Sequence, residues 1–292
     1  MTTSPLFETL IGATQLQTLL ASGATVRVFD CSNDLGQPTA GLAAYQSGHI
    51  PGAVHADLEK NLSAHAPQPA VNGGRHPLPT REAFAQRLRD WGVNPGDQVV
   101  VYDRQGAHYC GRLWWMLKWC GHAAVAVLDG GWNAWTAAGG AVSVDTPPPA
   151  PVGRFAATNP LVELVDTATV AKRLGHPQQV VVDARATARF VGDVEPLDPV
   201  AGHIPGALNQ PFTTNLGLDG RFLPPEALRT LWAQRLAGRD PATVVHHCGS
   251  GVTATPNVLA MAVAGYGLTA LYAGSWSEWC RTPGLPCARG GL

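Results

Sequence analysis

The chain has 292 residues, 45% of them hydrophobic, so it is long enough for two domains that each have an apolar core. Its 20 basic and 21 acidic side chains give a net charge of −1, which excludes the strongly basic surface typical of nucleic-acid-binding proteins. No basic residue precedes Arg27, and no apolar run approaches the roughly 20 residues that a transmembrane helix needs. We therefore expect a cytoplasmic protein without nucleic-acid or membrane partners.

The first half of the chain alternates short β-branched runs with longer helical patterns. The strand-like runs are TVRVFD, DQVVVYD and AAVAVLDG, and the helix-like runs are TREAFAQRLRDWG and AHYCGRLWWMLKWCGH. This alternation predicts an α/β fold with a mostly parallel sheet that is covered by helices on both faces. A proline-rich stretch, VDTPPPAPVGRF, then predicts a semi-rigid, extended connector.

The second half repeats this alternation. Strands are predicted at Gln179–Arg185, Ala242–Cys248 and Leu268–Gly274, and helices at Pro224–Leu236 and Val252–Gly267. Ligands of parallel sheets bind at the carboxyl ends of the strands. Cys248 occupies such an end, which makes it the first candidate for a functional residue.

Three motifs of the first half recur in the second half in the same order. SGHIPGAV returns as AGHIPGAL, RHPLPTREAF returns as GRFLPPEAL, and LDGGWNAW returns as YAGSWSEW. A duplicated domain explains this order. We expect a first domain at residues 1–145, a linker at residues 146–155 and a second domain at residues 156–292.

The segment after the second-half strand, CGSGVTA, has the composition of an anion-binding loop. Glycines and small residues allow backbone N–H groups to curl around an anion, and the following helix adds its positive N-terminus. Such a setting lowers the pKa of a thiol and favours the reactive thiolate. The aligned position of the first domain is Asp103, so only the second copy has the nucleophile. A buried structural cysteine is the alternative, and the lack of arginine at Ala254 argues against the C-x₅-R chemistry of phosphatases.

The tandem GHIPGA segments, the DGGW and AGSW segments and the CGSGVTA loop together resemble the two-domain rhodanese-type sulfurtransferases. The resemblance covers nearly the whole chain. It implies two tandem rhodanese-like α/β domains, an inactive first domain, and a second domain that carries sulfur as a persulfide of Cys248. It also implies two-step covalent catalysis with ping-pong kinetics. No metal or organic cofactor is implied.

Within this family, a CG[ST]GVT loop resembles the 3-mercaptopyruvate sulfurtransferases. The resemblance implies that Arg189 binds the donor anion and that Ser250, His76 and Glu59 form a proton relay, although Glu59 replaces the more usual aspartate. It further implies that the loop amides bind the donor and the persulfide; these amides belong to Gly249, Ser250, Gly251, Val252 and Thr253.

One departure leaves the donor open. The mercaptopyruvate enzymes often have a second arginine about nine residues after the first, and this chain has Asp198 there. Thiosulfate is therefore the alternative donor, and a persulfide relay protein with little turnover on small donors is the alternative function. The expected partners are a small-molecule sulfur donor and a cyanide or thiol acceptor, including a thioredoxin-like protein. A redox role of Cys280 and Cys287 is left open.

Overall fold

A computed structural model describes residues 6–291, and these form two compact units. The first unit comprises residues 6–62 together with Thr80–Leu161 and Leu218–Arg221. The second unit comprises Ser63–Pro79, Val162–Gly217 and the residues from Phe222 onward. The units differ from the predicted domains in four segments. Residues 63–79 pack with the unit that contains Cys248, whereas the predicted linker, residues 156–161 and residues 218–221 pack with the first unit.

The first unit is built on a five-stranded parallel sheet with the order β1-β5-β4-β2-β3. The strands are β1 (Leu10–Ile11), β2 (Val26–Asp30), β3 (Val54–His55), β4 (Gln98–Tyr102) and β5 (Val125–Leu128). The helices are α1 (Ala13–Ala21), α2 (Ala40–Ser47), α3 (Arg81–Asp90), α4 (Cys110–Trp119) and α5 (Gly131–Ala137).

Both faces of this sheet are apolar, as expected for buried parallel strands. Alternate side chains of the strands, such as Val100, pack in one cluster with α1 and α5. The intervening side chains, such as Val101, face the opposite side and are fully buried. Helix α4 packs on this sheet, and each of its residues is buried.

The second unit has a four-stranded parallel sheet with the order β7-β6-β8-β9. Its strands are β6 (Val180–Asp183), β7 (Leu208–Asn209), β8 (Val244–His247) and β9 (Ala270–Leu271). Its helices are α6 (Thr167–Lys172), α7 (Thr187–Val191), α8 (Pro225–Leu236), α9 (Thr255–Val263) and α10 (Ser275–Trp279). Two short 3-10 helices lie at Phe212–Asn215 and Pro241–Thr243.

The core of the second unit also has two sides. Residues of α6 and α10 pack against Val181 and Val245 on one face of the sheet. On the other face, His246 lies between Trp232 of α8, with ring centroids 5.4 Å apart, and Met261 of α9, whose sulfur is 3.3 Å from Nε2. The predicted α/β class with mostly parallel sheets and flanking helices is confirmed.

The helix that follows Cys248 begins later in the structure than in the sequence-based prediction. Helix α9 begins at Thr255, not at Val252, because the residues between β8 and α9 form a loop. Pro256 lies in the first turn of α9, where the missing N–H leaves no helical hydrogen bond unmade. Among residues 6–291, none of the helices combines the length and apolar character that a bilayer crossing needs.

Candidate active site

Cys248 is the first residue after β8 in the second unit, and only 1% of it is exposed. Its backbone N–H donates to Oγ of Ser275 at 3.1 Å, and its carbonyl accepts the N–H of Trp276 at 3.0 Å. These bonds attach the cysteine to the start of α10. The thiol therefore lies at the carboxyl edge of the sheet in a fixed position.

The Cys248 loop (residues 248–254) turns sharply at Gly251. The φ of Gly251 is +74°, a left-handed conformation that favours glycine. A Cβ at this position would lie 2.3 Å from the carbonyl oxygen of Ala273, so no other residue fits without moving the loop. Helix α9 follows directly, and its N-terminus contributes a partial positive charge beside the loop.

The matching loop of the first unit binds a carboxylate. Asp103 is fully buried at the end of β4, and its Oδ1 accepts the N–H groups of Gln105 and Ala107, each at 3.0 Å. Its Oδ2 accepts the N–H groups of Tyr109 at 2.8 Å and Cys110 at 2.9 Å. Four backbone donors thus surround one anion that the chain itself supplies.

The two loops share their construction within their own units. Gly106 has a φ of +69°, close to the value at Gly251. The carbonyl of Asp103 accepts the N–H of Trp132 at 3.0 Å, as the carbonyl of Cys248 does from Trp276. We infer that the Cys248 loop is an anion nest of the same kind, in which a thiolate or persulfide replaces the Asp103 carboxylate.

A histidine and a serine make direct contact beside the cysteine. Nδ1 of His76 lies 2.7 Å from Oγ of Ser250, and both residues are buried. His76 comes from the segment at residues 63–79, which belongs to the second unit. Two of the predicted relay residues are therefore brought together within a single compact unit.

The segment that carries His76 is attached to α10 through its backbone. Gly74 has a φ of +91°, and a Cβ on it would lie 2.7 Å from Oγ of Ser277. The N–H of Arg75 donates to the same hydroxyl at 3.1 Å. The glycine pair before Arg75 thus permits a close approach that fixes Arg75 and His76 next to the Cys248 loop.

Arg189, predicted to bind the donor, lies in α7 beside the same loop. Its Nη2 donates to Oε1 of Glu195 at 2.7 Å and lies 3.5 Å from Oδ2 of Asp198. Its Nη1 is 3.3 Å from the position that a Cβ on Gly249 would occupy. The buried carboxylates therefore orient the Arg189 guanidinium against the first residue after Cys248.

A buried ion cluster lies behind these groups. Arg185 binds Asp183 through Nη2 at 2.6 Å, stacks over the Trp276 ring at 4.9 Å and contacts Glu195 at 3.3 Å. Burial alone would lower the pKa of Arg185, but Asp183 and Glu195 raise it above its usual range. Burial lowers the pKa of His247, whose Nε2 lies 3.6 Å from Oδ2 of Asp183. Asp183 and Arg185 thus form a structural ion pair beneath the site.

Glu59 is the one predicted relay residue outside the second unit. It belongs to the first unit, and its backbone N–H donates to Oδ1 of Asp57 at 2.9 Å. Sequence reasoning also missed two residues of the site, Arg75 and Glu195. The motif GGRH gave a signal for Arg75, since paired glycines beside a charged residue indicate a close backbone approach.

The histidines of the two GHIPG motifs are structural in both units. His49 stacks on Tyr45 with ring centroids 4.0 Å apart and bonds the Tyr45 carbonyl at 2.9 Å. His203 stacks on Phe190 at 3.8 Å and bonds the Phe190 carbonyl at 2.8 Å. Because the same geometry occurs in both units, and only one of them contains Cys248, these histidines have a structural role.

The six cysteines are all free thiols. Cys280 is partly exposed, and burial followed by Asp198 raises its pKa. Cys287 is exposed, and partial burial raises its pKa as well. Neither thiol has the lowered pKa that marks a reactive cysteine.

Comparison with known proteins identifies the fold family. The protein-family model of the rhodanese-like domain matches the sequence at residues 12–138 and again at residues 166–282. A probable 3-mercaptopyruvate sulfurtransferase of Pseudomonas aeruginosa is 47% identical over 96% of this chain and 98% of its own length. A putative thiosulfate sulfurtransferase of Mycobacterium tuberculosis, SseB, is 38% identical over 97% of this chain and 98% of its own length.

A solved structure agrees with these relatives. The crystal structure of SseA from Escherichia coli, described as a 3-mercaptopyruvate sulfotransferase with the rhodanese fold, superposes with a TM-score of 0.78. It shares 32% identity and covers 93% of this chain and all of its own. The two family matches fall one on each sheet, and the relatives align along almost the whole chain. The protein is therefore a two-domain member of the rhodanese-like family and belongs with its sulfurtransferases.

Proposed function

We propose that the protein transfers sulfur from 3-mercaptopyruvate to a thiophilic acceptor through a persulfide on Cys248. The observation that carries this proposal is the contact of 2.7 Å between His76 and Ser250. A hydroxyl paired with an imidazole beside the nucleophile is a source of protons, and 3-mercaptopyruvate needs one while thiosulfate does not. The relative from Pseudomonas aeruginosa carries the name of the same activity.

In the first step, the Cys248 thiolate attacks the thiol sulfur of 3-mercaptopyruvate. The new S–S bond forms as the C–S bond breaks, and the C–S electron pair remains on carbon as the enolate of pyruvate. Ser250 donates a proton to that carbon and is reprotonated from His76. Glu59 is the proposed carboxylate of this relay, and Arg189 binds the donor carboxylate.

In the second step, the acceptor removes the outer sulfur. Cyanide or a thiolate forms a bond to it, the S–S bond breaks, and the Cys248 thiolate returns. The loop amides of Gly249 to Thr253 stabilise the negative charge of both the thiolate and the persulfide. We propose thiols as the natural acceptors, including a thioredoxin-like protein, in a reducing cytoplasm where the free cysteines of this chain persist.

Thiosulfate is the second candidate donor, and the charge around the loop favours it. The guanidinium of Arg189 lies against Gly249, and Arg185 lies behind it with a raised pKa. Cationic groups suit a dianion whose leaving group, sulfite, departs without a proton. The relative from Mycobacterium tuberculosis carries the name of this activity.

The decisive experiment measures kcat/KM for both donors, with cyanide as acceptor and Cys248→Ser as the blank. We expect 3-mercaptopyruvate to be preferred. Ser250→Ala and His76→Asn should each lower kcat for 3-mercaptopyruvate by about 100-fold, the usual range for lost acid catalysis, and leave thiosulfate turnover within about threefold.

Each other outcome selects a different function. A thiosulfate preference with insensitivity to both variants would assign the protein to the thiosulfate enzymes and remove the relay. Absence of turnover on both donors, with Cys248 still reactive toward persulfide donors, would make the protein a sulfur relay. Glu59→Gln, compared with Glu82→Gln on the exposed surface of α3, tests the third member of the relay.

A further inference from the structure

Two guanidinium groups, not one, lie against the first residue after the nucleophile. A Cβ on Gly249 would lie 2.8 Å from Nη2 of Arg75 and 3.3 Å from Nη1 of Arg189. Both arginines belong to the second unit. Only glycine at this position allows both groups to approach the Cys248 loop so closely. The lack of a side chain therefore accounts for Gly249, and backbone conformation is not needed as a reason.

The same buried carboxylate holds both guanidinium groups. Asp198 accepts a short hydrogen bond from Nη1 of Arg75, and its other oxygen lies 3.5 Å from Nη2 of Arg189. The Asp198 side chain is 0% exposed, whereas those of Arg75 and Arg189 are 23% and 19% exposed. The carboxylate therefore lies underneath, and the arginines present their accessible side to a ligand.

The hydrogen bonds within this cluster leave particular atoms facing the loop. Arg75 uses its backbone N–H and Nη1, and the Arg189 side chain uses Nε and Nη2. The atoms nearest to Gly249 are Nη2 of Arg75 and Nη1 of Arg189. Two N–H donors from different segments of the chain thus converge beside the nucleophile, as a bidentate anion site requires.

The charge of the cluster suits an anion. Its four guanidinium groups and three carboxylates sum to a charge of +1. The guanidinium groups are those of Arg75, Arg185, Arg189 and Arg281, and the carboxylates are those of Asp183, Glu195 and Asp198. The single carboxylate of 3-mercaptopyruvate would neutralise this excess.

We propose that Arg75 is the second donor-binding arginine of this protein. Asp198 stands where the family resemblance leads one to expect that arginine, and it binds Arg75 from another segment of the same unit. Arg75 thereby supplies the positive charge that an arginine at position 198 would have provided. This inference rests on the proposed sulfur transfer for its substrate, but the anion site itself is testable without turnover.

The test compares Arg75→Gln with Arg281→Gln. Arg281 donates to the same Asp198 oxygen at 2.8 Å but is 45% exposed, so its loss perturbs the cluster equally without removing a charge from Gly249. Arg75→Gln leaves Asp198 paired with Arg189 and Arg281, so the fold is retained. We expect a 10- to 100-fold lower kcat/KM for both donors, mainly through KM, because a charge-assisted hydrogen bond is lost. Arg75→Lys should recover part of this loss.

A second readout uses alkylation of Cys248 by iodoacetate and by neutral iodoacetamide. The ratio of the two rates in each variant cancels any difference in access to the thiol. Arg75→Gln should lower the iodoacetate-to-iodoacetamide ratio at least threefold relative to Arg281→Gln. Gly249→Ala, which displaces the Arg75 guanidinium without removing it, should lower the ratio in the same direction.

The outcomes separate the two proposals. If the protein turns over neither donor, the proposed function fails, whereas the alkylation ratio still reports on the Arg75 site. An unchanged ratio in Arg75→Gln, or a kcat/KM equal to that of Arg281→Gln, would overturn the role of Arg75 whatever the donor. A loss confined to kcat, without a change of KM or of the ratio, would also overturn it.

Discussion

The buried carboxylate of Asp103 offers the most direct test of the anion nest. It accepts four backbone N–H groups at 2.8–3.0 Å and is fully buried, so Asp103→Ala leaves four donors without a partner. Each unsatisfied buried donor costs about 1–3 kcal/mol, and water entering the vacated space offsets part of the sum. We expect the first unit to lose about 3–5 kcal/mol of unfolding free energy, a value typical of breaking a buried ionic network.

Asp103→Asn should be milder. The retained oxygen can still accept from Gln105 and Ala107, but the new amide group faces the N–H groups of Tyr109 and Cys110. The two N–H groups of the amide then face two backbone N–H groups, and the free energy of unfolding should fall by about 2–3 kcal/mol. Asp34→Ala is the matched control, because the exposed Asp34 accepts a single N–H from Gly36 and its loss should cost under about 1 kcal/mol.

The assay is urea unfolding followed by tryptophan fluorescence, combined with hydrogen exchange of the amides at residues 105–110. Loss of the carboxylate should speed exchange of these amides before any global unfolding. A cost below about 1 kcal/mol for Asp103→Ala, with unchanged exchange, would refute the nest in the first unit. It would also remove the structural precedent for anion binding by the Cys248 loop.

Two further predictions concern the second unit. Gly251→Ala should abolish measurable sulfur transfer, because its Cβ would lie 2.3 Å from the Ala273 carbonyl oxygen. The control is Gly206→Ala, since Gly206 also has a positive φ, +78°, but has open space around it. This variant should lose only about 1–2 kcal/mol of stability to left-handed backbone strain and keep its activity. Equal activity in the two variants would show that the loop tolerates a side chain. Burial, followed by the charge of His247, lowers the pKa of His246 to about 3, so the folded state disfavours its protonation. The associated stability is complete above pH 6.5 and should fall by about 1.4 kcal/mol per unit as pH drops toward 3. His246→Leu should flatten this slope in acid unfolding curves, and an unchanged slope would contradict the burial effect.

The alternating pattern of β-branched and helical runs predicted the sheets well, because buried parallel strands leave a strong local signal. The strand at Val244–His247 and the helix after it follow directly from VVHH and TPNVLAMAV. The start of α9 was placed three residues too early, since Val252 to Ala254 are apolar enough for a helix. Their backbone instead forms the loop around Cys248, a tertiary requirement that local propensity does not encode.

The polar side of the site was harder to predict from sequence. Arg189 and Ser250 follow from short motifs, but Glu195 and Asp198 gain their roles only because they are buried under guanidinium groups. A carboxylate in a loop between Gly192 and Gly202 looks like an ordinary surface residue in the sequence. Burial of charge is set by the packing of the whole unit, so the pattern of EPLDPV alone could not reveal it.

The largest gap between sequence and structure concerns the segment at residues 63–79. Its motif RHPLP aligns with GRFLP of the second repeat, and by sequence order it belongs to the first copy. The structure packs it instead with the unit of Cys248, where it supplies His76 to Ser250 and Arg75 to Asp198. The duplication of the domain gives a reason why a segment of the first repeat can pack with the second unit. In the first repeat, the position of the cysteine is occupied by Asp103, whose carboxylate is already satisfied by backbone N–H groups, so the other polar groups of this repeat do not serve a nucleophile of their own. Arg75 and His76 are the residues through which, in our proposal, the first repeat contributes to the chemistry of the second.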